Sequence, residues 1–403
     1  MKDEHMKTLI LVGSFLRGKI IPLLIVMLSM SLSLMILVMY CGQYRYVVYQ
    51  QEVFEASGLD DAIYVSYHDP MGGAGNYGEW RNNIQTKAKT YDAFERIIQE
   101  RFQLLYIEDI GLSNVFYYDD DMLSTFQLSV SKGRWLKTNA ERVEMVVGGR
   151  MWPRSCVGQT IRLPNGIEAT VVGHLGIYMT TPELTSSSNM LAISDLFTKA
   201  DNFIMLNYDA LSEETKSTIS MEESNYFFID MHDDAADNQK TELLRFLESY
   251  AICTDYETIL ENSQSDMQKW VRTQLPFPCF MLVISTICMI CVSMVMVRSG
   301  FNEQAKYMLV GCTKPRSVGL MVLAFLAVFG LPAILSTLLA VWYPSIMDVW
   351  GFSSNQFPYL FDFQAVLPAI GYLMAILLIL SLMPMVYYWR IMPITLYRKE
   401  LHS

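Results

Sequence analysis

The sequence predicts a membrane protein in which four transmembrane α-helices carry a large α/β domain outside the membrane. The first observation is the composition, since 52% of the 403 residues are hydrophobic and only 18% are charged. The second is a set of four charge-free stretches, each long enough at ~1.5 Å per residue to cross the ~30 Å core of a bilayer. They cover residues 20–41, 275–297, 317–342 and 366–389. The third is the long polar segment, 42–274, that separates the first two stretches.

The first stretch is interpreted as a permanent span. It is longer than the ~7–15 apolar residues of a signal peptide. A cleavage site is also missing, because Val38, Met39 and Tyr40 precede Cys41 where small residues would be needed. The segment before it, 1–19, suits an amphipathic helix at the cytoplasmic interface or, equally well, a basic tail.

Lysine and arginine in the short loops orient the chain. Segments 1–19, 298–316 and 390–403 are basic, whereas the loop 343–365 contains no Lys or Arg. Basic loops stay on the cytoplasmic side. We therefore expect a multi-pass protein of the plasma (inner) membrane with both termini and the 298–316 loop in the cytoplasm. The 42–274 domain and the 343–365 loop then lie outside, and 390–403 is a cytoplasmic tail.

The outer domain is strongly acidic. It contains 19 Lys and Arg against 35 Asp and Glu, a net charge of −16. Such a surface repels nucleic acid and anionic lipid headgroups. The sequence therefore excludes a nucleic-acid partner and leaves membrane lipid as the partner of the four spans alone.

Residue patterns predict an α/β outer domain that holds an inserted β-rich module at about 116–189. A helical stalk is expected to leave the membrane over 43–57 and another to return over 256–274. Apolar spacing predicts amphipathic helices at 91–102 and 238–250. Alternation predicts the strands, and Asn165-Gly166 is a strong hairpin signal between two of them. The predicted strands are 62–67, 126–130, 143–149, 160–164, 168–175, 202–208 and 226–231.

The sequence contains no recognisable catalytic, cofactor or metal motif. It lacks a Walker A sequence, a Gly-x-Ser-x-Gly elbow and any zinc spacing, and it has only five histidines. The carboxylates of 230–237 lead into a predicted helix and suit its cap better than a metal. In the outer domain, Cys156 and Cys253 could pair in an oxidising exterior or remain free thiols.

Three groups of features resemble the MacB/FtsX-like family of ABC transporter permeases. The first is the topology of one span, a large outer domain and three further spans. The second is the loop "RSGFNEQAKYMLVGCTKPRSVGLMVLAF", and the third is the C-terminal "MPITLYRKE". The residues at the family's positions there are Arg298, Glu303, Leu309, Gly311, Cys312, Arg316, Pro393, Leu396 and Arg398.

The outer domain is similar to the MacB-type extracytoplasmic core in four segments that follow the family's order. They read "VSKGRWL" (130–136), "EMVVGGRMW" (144–152), "CVGQTIRL" (156–163) and "EATVVGHLG" (168–176). The chain departs from the family in two places: the loop lacks the usual Arg before its glycine, and the third span lacks a Glu. These departures concern docking and specificity, not the fold.

The resemblance implies a permease subunit with a porter-like α/β outer part that binds no cofactor itself. Two copies of a separate ABC ATPase, which bind ATP and Mg, would push on the 298–316 loop. The permease would work as a homodimer or beside a similar permease, and its outer domain would move to export or extract peptide, lipoprotein or drug-like cargo. The residues expected to couple to the ATPase are Glu303, Tyr307, Leu309, Val310, Gly311 and Arg316.

On its own residues, the 298–316 loop has two interpretations. "EQAKYMLVG" can form two helical turns that Gly311 ends, with apolar side chains for a partner's groove. It can also be an interfacial turn with cytoplasmic charges. The other matching segments favour the coupling helix. The alternative for the whole chain is an FtsX-like scaffold or sensor that regulates an extracellular partner, such as a cell-wall hydrolase, without transport. An outward-facing enzyme is disfavoured.

Overall fold

The chain divides into two compact units. A computed structural model describes residues 20–67, 77–108, 110–149, 151–175, 180–182, 184, 190–199, 202–299, 360 and 362–390, with scattered positions between 311 and 342. The helical unit comprises Met1–Arg45 and Val271–Ser403, and the outer unit comprises Tyr46–Trp270.

Eight α-helices lie in the described residues. Helix α1 is continuous from Ile20 through most of the segment 43–57, where the sequence predicts the first stalk. The α-helices are α1 (Ile20–Glu55), α2 (Tyr77–Ala88), α3 (Asp120–Thr125), α4 (Glu213–Thr218), α5 (Asp237–Glu248), α6 (Tyr256–Gln274), α7 (Pro276–Ser299) and α8 (Phe363–Arg390).

Twelve strands are present in the described residues of the outer unit. They are β1 (Ile63–Tyr67), β2 (Phe94–Ile107), β3 (Gly111–Tyr118), β4 (Lys132–Gly133), β5 (Glu144–Gly149), β6 (Thr160–Arg162), β7 (Glu168–His174), β8 (Thr180–Pro182), β9 (Phe197–Lys199), β10 (Asn202–Asn207), β11 (Glu222–Met231) and β12 (Ala251–Asp255).

Ten of these strands form one mixed sheet. Its order is β12-β1-β11-β2-β3-β10-β5-β7-β4, with β6 paired to β7, while β8 and β9 form a separate pair. Strand β10 runs parallel to β3 and antiparallel to β5. The β-rich module predicted at about 116–189 is therefore not a separate sheet, because β10 enters from outside that range and joins its strands to the rest.

Two hydrophobic cores can be described from the residues that the structure describes. One lies under the strands β3, β5, β7 and β10, and the other lies against α2 and α5. Helix α5 has the predicted amphipathic character, since Leu243, Phe246 and Leu247 face the second core. The first core contains Ile107, Val115, Tyr117, Met145, Val147, Trp152, Cys156, Leu163, Ile167, Ala169, Val171, Ile204, Leu206 and Leu211.

The helix predicted at 91–102 is wrong, because this segment forms most of β2. Its apolar residues match helical spacing, but the strand lies in the middle of the sheet and is buried on both faces. Two of its polar side chains have partners on β11: Arg96 pairs with Asp230 at 2.8 Å, and Gln99 donates to the Ser224 carbonyl at 2.7 Å. Long-range pairing overrides a weak local propensity. The strand predicted at 126–130 is also wrong, since those residues are irregular.

The segment "VSKGRWL" contains Gly133, which lies so close to the neighbouring strand that a side chain would not fit. Gly133 and Gly173 lie opposite each other in the β4–β7 pair. A Cβ on Gly173 would lie 2.3 Å from the Arg134 carbonyl oxygen, and one on Gly133 would lie 2.2 Å from the Val172 oxygen. Only glycine fits at either position without moving backbone.

The arginine of the same segment, Arg134, binds the carboxylate of Glu144 on β5. The guanidinium of Arg134 forms an ion pair with Glu144, and the backbone N–H of Lys137 donates to the same carboxylate at 3.2 Å. Burial by itself would raise the pKa of Glu144, but these hydrogen bonds and charges outweigh it and hold the pKa below its ordinary value.

The helical unit is held together by a few polar contacts as well as apolar packing. The hydroxyl groups of Tyr372 and Thr286 lie 2.9 Å apart, and Arg45 pairs with Asp362 at 3.1 Å. Within the described residues, one helical stretch, Tyr256–Val295, is long and apolar enough to cross a membrane by length and composition. Phe363–Ile376 is a shorter apolar helix.

Substitution of Gly173 by alanine is expected to lower the free energy of unfolding by at least ~2 kcal/mol, because two backbone segments must separate. Gly158→Ala is the matched control. Its φ is 94° and its Cβ meets nothing within 4 Å, so it costs only the ~1–2 kcal/mol of left-handed strain. Tryptophan fluorescence during denaturant unfolding of the full chain measures both. A larger loss in Gly158→Ala would contradict the close approach.

Replacement of Glu144 by glutamine is expected to destabilise the protein in a pH-dependent way. The folded pKa lies below the ordinary 4.5. The stabilisation by the carboxylate is therefore fully present above that value and is lost as pH falls through the folded pKa. The difference in unfolding free energy between wild type and Glu144→Gln should be constant near neutral pH and shrink below pH ~4.5. A difference that stays constant down to pH ~3 would contradict this expectation.

Candidate functional site at the joint between the stalk helices and the sheet

Both helices that lead away from the outer unit begin or end at one edge of its sheet. Strand β12 ends at Asp255 and α6 begins at the next residue. Asp255 lies opposite Ile63, the first residue of β1, which follows α1 after a short loop. The last turns of α1 and the first turns of α6 are therefore two stalks that meet beside β1 and β12.

Aromatic side chains join these stalks to the sheet. The ring of Phe54, near the end of α1, stacks on Tyr256 at a centroid distance of 5.0 Å and an interplanar angle of 14°. Phe54 also lies 6.3 Å from Phe228 of β11, which contacts Tyr64 of β1 edge-on at 5.1 Å. We call Phe54, Tyr64, Phe228 and Tyr256 the aromatic joint.

The aromatic joint is dry. Phe54, Tyr64 and Phe228 are each at most 1% exposed. Removal of one such ring from a core costs ~3–5 kcal/mol. Burial, followed by the nearby carboxylates of Asp60 and Glu55, raises the pKa of Tyr256. Its hydroxyl therefore stays neutral over the physiological range, and the joint contains no charge that solvent would pull apart.

The first stalk has a second attachment one turn earlier. The backbone N–H of Ser129 donates to the Tyr49 hydroxyl at 3.0 Å. Burial raises the pKa of Tyr49, and the charge of Glu52 adds to this shift. Tyr49 thus fixes the rotation of α1 against the segment between α3 and β4.

The second stalk is attached to the segment before β9. Asn262 donates from its side-chain nitrogen to the Leu191 carbonyl at 3.0 Å. The Ser263 hydroxyl accepts from the Ile193 N–H at 2.8 Å and donates to the Ile259 carbonyl at 2.5 Å. Because each stalk is held by both stacking and directed hydrogen bonds, a shift or rotation of either helix is transferred to the sheet.

Most residues predicted to couple to an ATPase lie outside the described residues. Gly311 and Arg316 are described: Gly311 lies in a turn with a φ of 101°, which favours glycine, and Arg316 is exposed in a helical turn. The residues outside the description are Glu303, Tyr307, Leu309, Val310, Pro393, Leu396 and Arg398.

The two cysteines considered for a disulfide are not bonded. Both thiols are free. Cys156 belongs to the core under β5 and β7, whereas Cys253 lies on β12 and packs against the other core. Burial raises the pKa of Cys253 to about 12 and also raises that of Cys156. Both behave as small apolar residues in separate parts of the sheet.

The sequence did not reveal the aromatic joint, although it predicted both stalks. The sequence signal that could have revealed the joint is the position of two aromatic residues. Phe54 lies near the end of α1, and Tyr256 begins α6 directly after a strand. Among the described residues, no group of three or more His, Cys, Asp and Glu side chains is placed to hold a metal ion.

Comparison with known proteins decides the family. The model of the MacB-like periplasmic core domain matches residues 21–244, more than half of the chain. The chain belongs to the MacB/FtsX-like family of ABC transporter permeases. It is thus a membrane protein and a transport subunit with a MacB-like core outside the membrane. No curated protein matches the sequence.

Two solved structures show similarity to parts of this permease. The extracellular domain of the noncanonic ABC-type transporter YknZ from Gram-positive bacteria is 13% identical, with 47% of this chain and 93% of that chain covered and a TM-score of 0.29. The periplasmic region of MacB from Actinobacillus actinomycetemcomitans is 12% identical, with 51% and 93% covered and a TM-score of 0.29.

The stacked pair of the aromatic joint is expected to be energetically coupled. In a double-mutant cycle of Phe54→Leu and Tyr256→Leu, the two losses of unfolding free energy should be non-additive by ~0.5–1.5 kcal/mol. A control cycle of Phe54→Leu and Phe246→Leu, which lies in the α5 core, should be additive within ~0.5 kcal/mol. Denaturant unfolding measures both cycles. Additivity in the first cycle would show that the stacking does not link the stalks.

Proposed function

We propose that this permease transmits force from a separate ABC ATPase to its outer domain through the two stalks. The observation that carries the proposal is the aromatic joint, where α1 and α6 stack on each other and on the sheet. A domain that only needed tethering would require no such buried connection. The family supplies the expectation of an ATPase partner, which provides the energy.

The proposed sequence of events begins at the ATPase. Two ATPase subunits bind ATP and Mg, close on each other and push on the 298–316 loops of two permease chains. Helix α7, which precedes this loop, follows the second stalk α6 after the single residue Leu275. Helices transfer displacement along their length, so in this proposal the push passes from α7 through α6 to the joint and turns the outer sheet.

The proposal includes four spans, with both termini in the cytoplasm, and two permease chains in the assembly. Asp, Glu, Lys, Arg and His are absent from all four predicted spans, which leaves no polar path for cargo between the leaflets. The cargo class that fits is peptide, lipoprotein or drug-like material handled outside the membrane and moved by the outer domain.

The same absence of charged residues favours one second candidate function. An FtsX-like scaffold would use the same force path to regulate an extracellular partner, such as a cell-wall hydrolase, without moving cargo. Both functions need the ATPase, so the force path can be tested before they are distinguished.

Substitution of Gly311 by alanine is expected to weaken binding of the ATPase by roughly five- to thirtyfold, because left-handed backbone costs a residue with Cβ ~1–2 kcal/mol. Its φ is 101° and no atom lies within 4 Å of the added Cβ, so only backbone strain changes. Titration of the purified full chain in nanodiscs with purified ABC ATPase subunits from the same organism measures this affinity.

Gly319→Ala is the matched control, because Gly319 also has open space but lies in a helical segment without a positive φ. It should bind the ATPase as wild type does. If no ATPase binds wild type, or if Gly311→Ala and Gly319→Ala are indistinguishable, the loop is not the coupling element and the proposal fails.

A further inference from the structure

We infer that the β2–β3 hairpin is a docking site for an extended, basic segment of a separate protein outside the membrane. The site is the face formed by Leu104, Tyr106 and Leu112, which we call the tip face. The inference goes beyond the proposed function, since it concerns a partner that binds without ATP and without the ATPase.

The hairpin projects from the end of the sheet opposite the aromatic joint. Ile97 of β2 lies opposite Ile229 of β11, which in turn lies opposite Ile63 at the start of β1. From this level β2 continues to Ile107, a further distance of ~33 Å at ~3.3 Å per residue. The tip face thus lies where movement transmitted through the stalks is carried farthest from the joint.

The tip face is apolar and exposed. Leu104, Tyr106 and Leu112 are 56%, 71% and 60% exposed. Tyr106 lies directly opposite Leu112 in the hairpin, so all three side chains share one face. The opposite face is used for folding, since Ile107 and Val115 belong to the first core. The fold therefore needs one face of this hairpin and leaves the other apolar and in solvent.

One edge of the hairpin is also open. Strand β11 pairs with β2 only as far as Phe102, which lies opposite Glu222. Beyond it, residues 103–107 pair with β3 on one side, and in the described part of the chain no strand pairs with the other side. This edge is ~17 Å long, enough for an incoming strand of about five residues. Added strands bind through backbone hydrogen bonds and place alternate side chains on one face.

Charge identifies the occupant. The hairpin beyond the end of β11, residues 102–116, contains no Lys or Arg, whereas Glu108 lies at the hairpin turn and Glu222 lies where the open edge begins, both exposed. A second copy bound by two-fold symmetry would present this same acidic patch to itself. A segment with alternating apolar and basic residues complements both the tip face and the carboxylates. We therefore assign the site to a separate protein of that character.

The test uses the full chain in phosphatidylcholine nanodiscs and a fluorescent peptide of alternating valine and lysine. Fluorescence anisotropy should show saturable binding that weakens severalfold when salt rises from about 50 to 300 mM, because surface charge pairs are screened. A peptide with glutamate in place of lysine should not bind. A peptide N-methylated at alternate residues, which cannot extend the sheet, should bind at least tenfold more weakly.

A triple variant should lose at least tenfold in affinity for the valine–lysine peptide. It combines Leu104→Ser, Tyr106→Ser and Leu112→Ser. The control is Tyr77→Ser with Met190→Ser, two exposed side chains outside the tip face, and it should bind as wild type does. Circular dichroism checks that each variant is folded. Equal binding by wild type and the triple variant, or by the N-methylated peptide, would overturn the inference.

A second-copy occupant would give a different result. The triple variant would then shift the full chain from dimer to monomer in mass photometry, while the valine–lysine peptide would bind neither form. That outcome also overturns the inference. It would leave the proposed function intact, because ATPase binding at the 298–316 loop is measured separately.

Discussion

The stacking of Phe54 on Tyr256 is the contact that joins the two stalks to each other. The chain connects its two compact units through α1 and α6, and these helices are far apart in sequence. Helix α6 follows β12 directly, whereas α1 reaches β1 through a short loop, so the stack holds the end of α1 beside the start of α6. Because the Phe54 ring is also buried beside Phe228, both helix ends share one core contact with the sheet.

The sequence was informative wherever local pattern and tertiary environment agree. Strands β5, β7 and β11 carry apolar runs or alternation, α5 has a clean apolar face, and Asn165-Gly166 forms the predicted turn, with Gly166 at a φ of 89°. It misled at β2, where apolar spacing fits a helix while Arg96 and Gln99 find partners on another strand. Local sequence patterns cannot predict these partners, because they lie more than a hundred residues away in the sequence.

In the candidate site, too, some features follow from local sequence and others depend on how distant segments pack. The stalk helices could be predicted from their continuity with apolar stretches, whereas the coupling loop stays a prediction that comes from the family's residues. The joint could not, because Phe54, Tyr64, Phe228 and Tyr256 come from four separate elements and only the sheet order brings them together. The possible disulfide between Cys156 and Cys253 was considered because the domain lies outside the membrane. The structure places the two thiols in different cores, a separation that depends on the strand order and not on local sequence.

The insertion of β10 between β3 and β5 has a consequence for the order in which the protein is made. Strand β1 also waits for β11 and β12, its two neighbours in the sheet. The sheet is therefore complete only when the segment up to Asp255 has been synthesised and translocated. Until then β1 lacks its full set of neighbours, and sheets that depend on such distant pairings form slowly. Strand β1, the first strand of the sheet to be made, is thus the strand that waits longest for its partners.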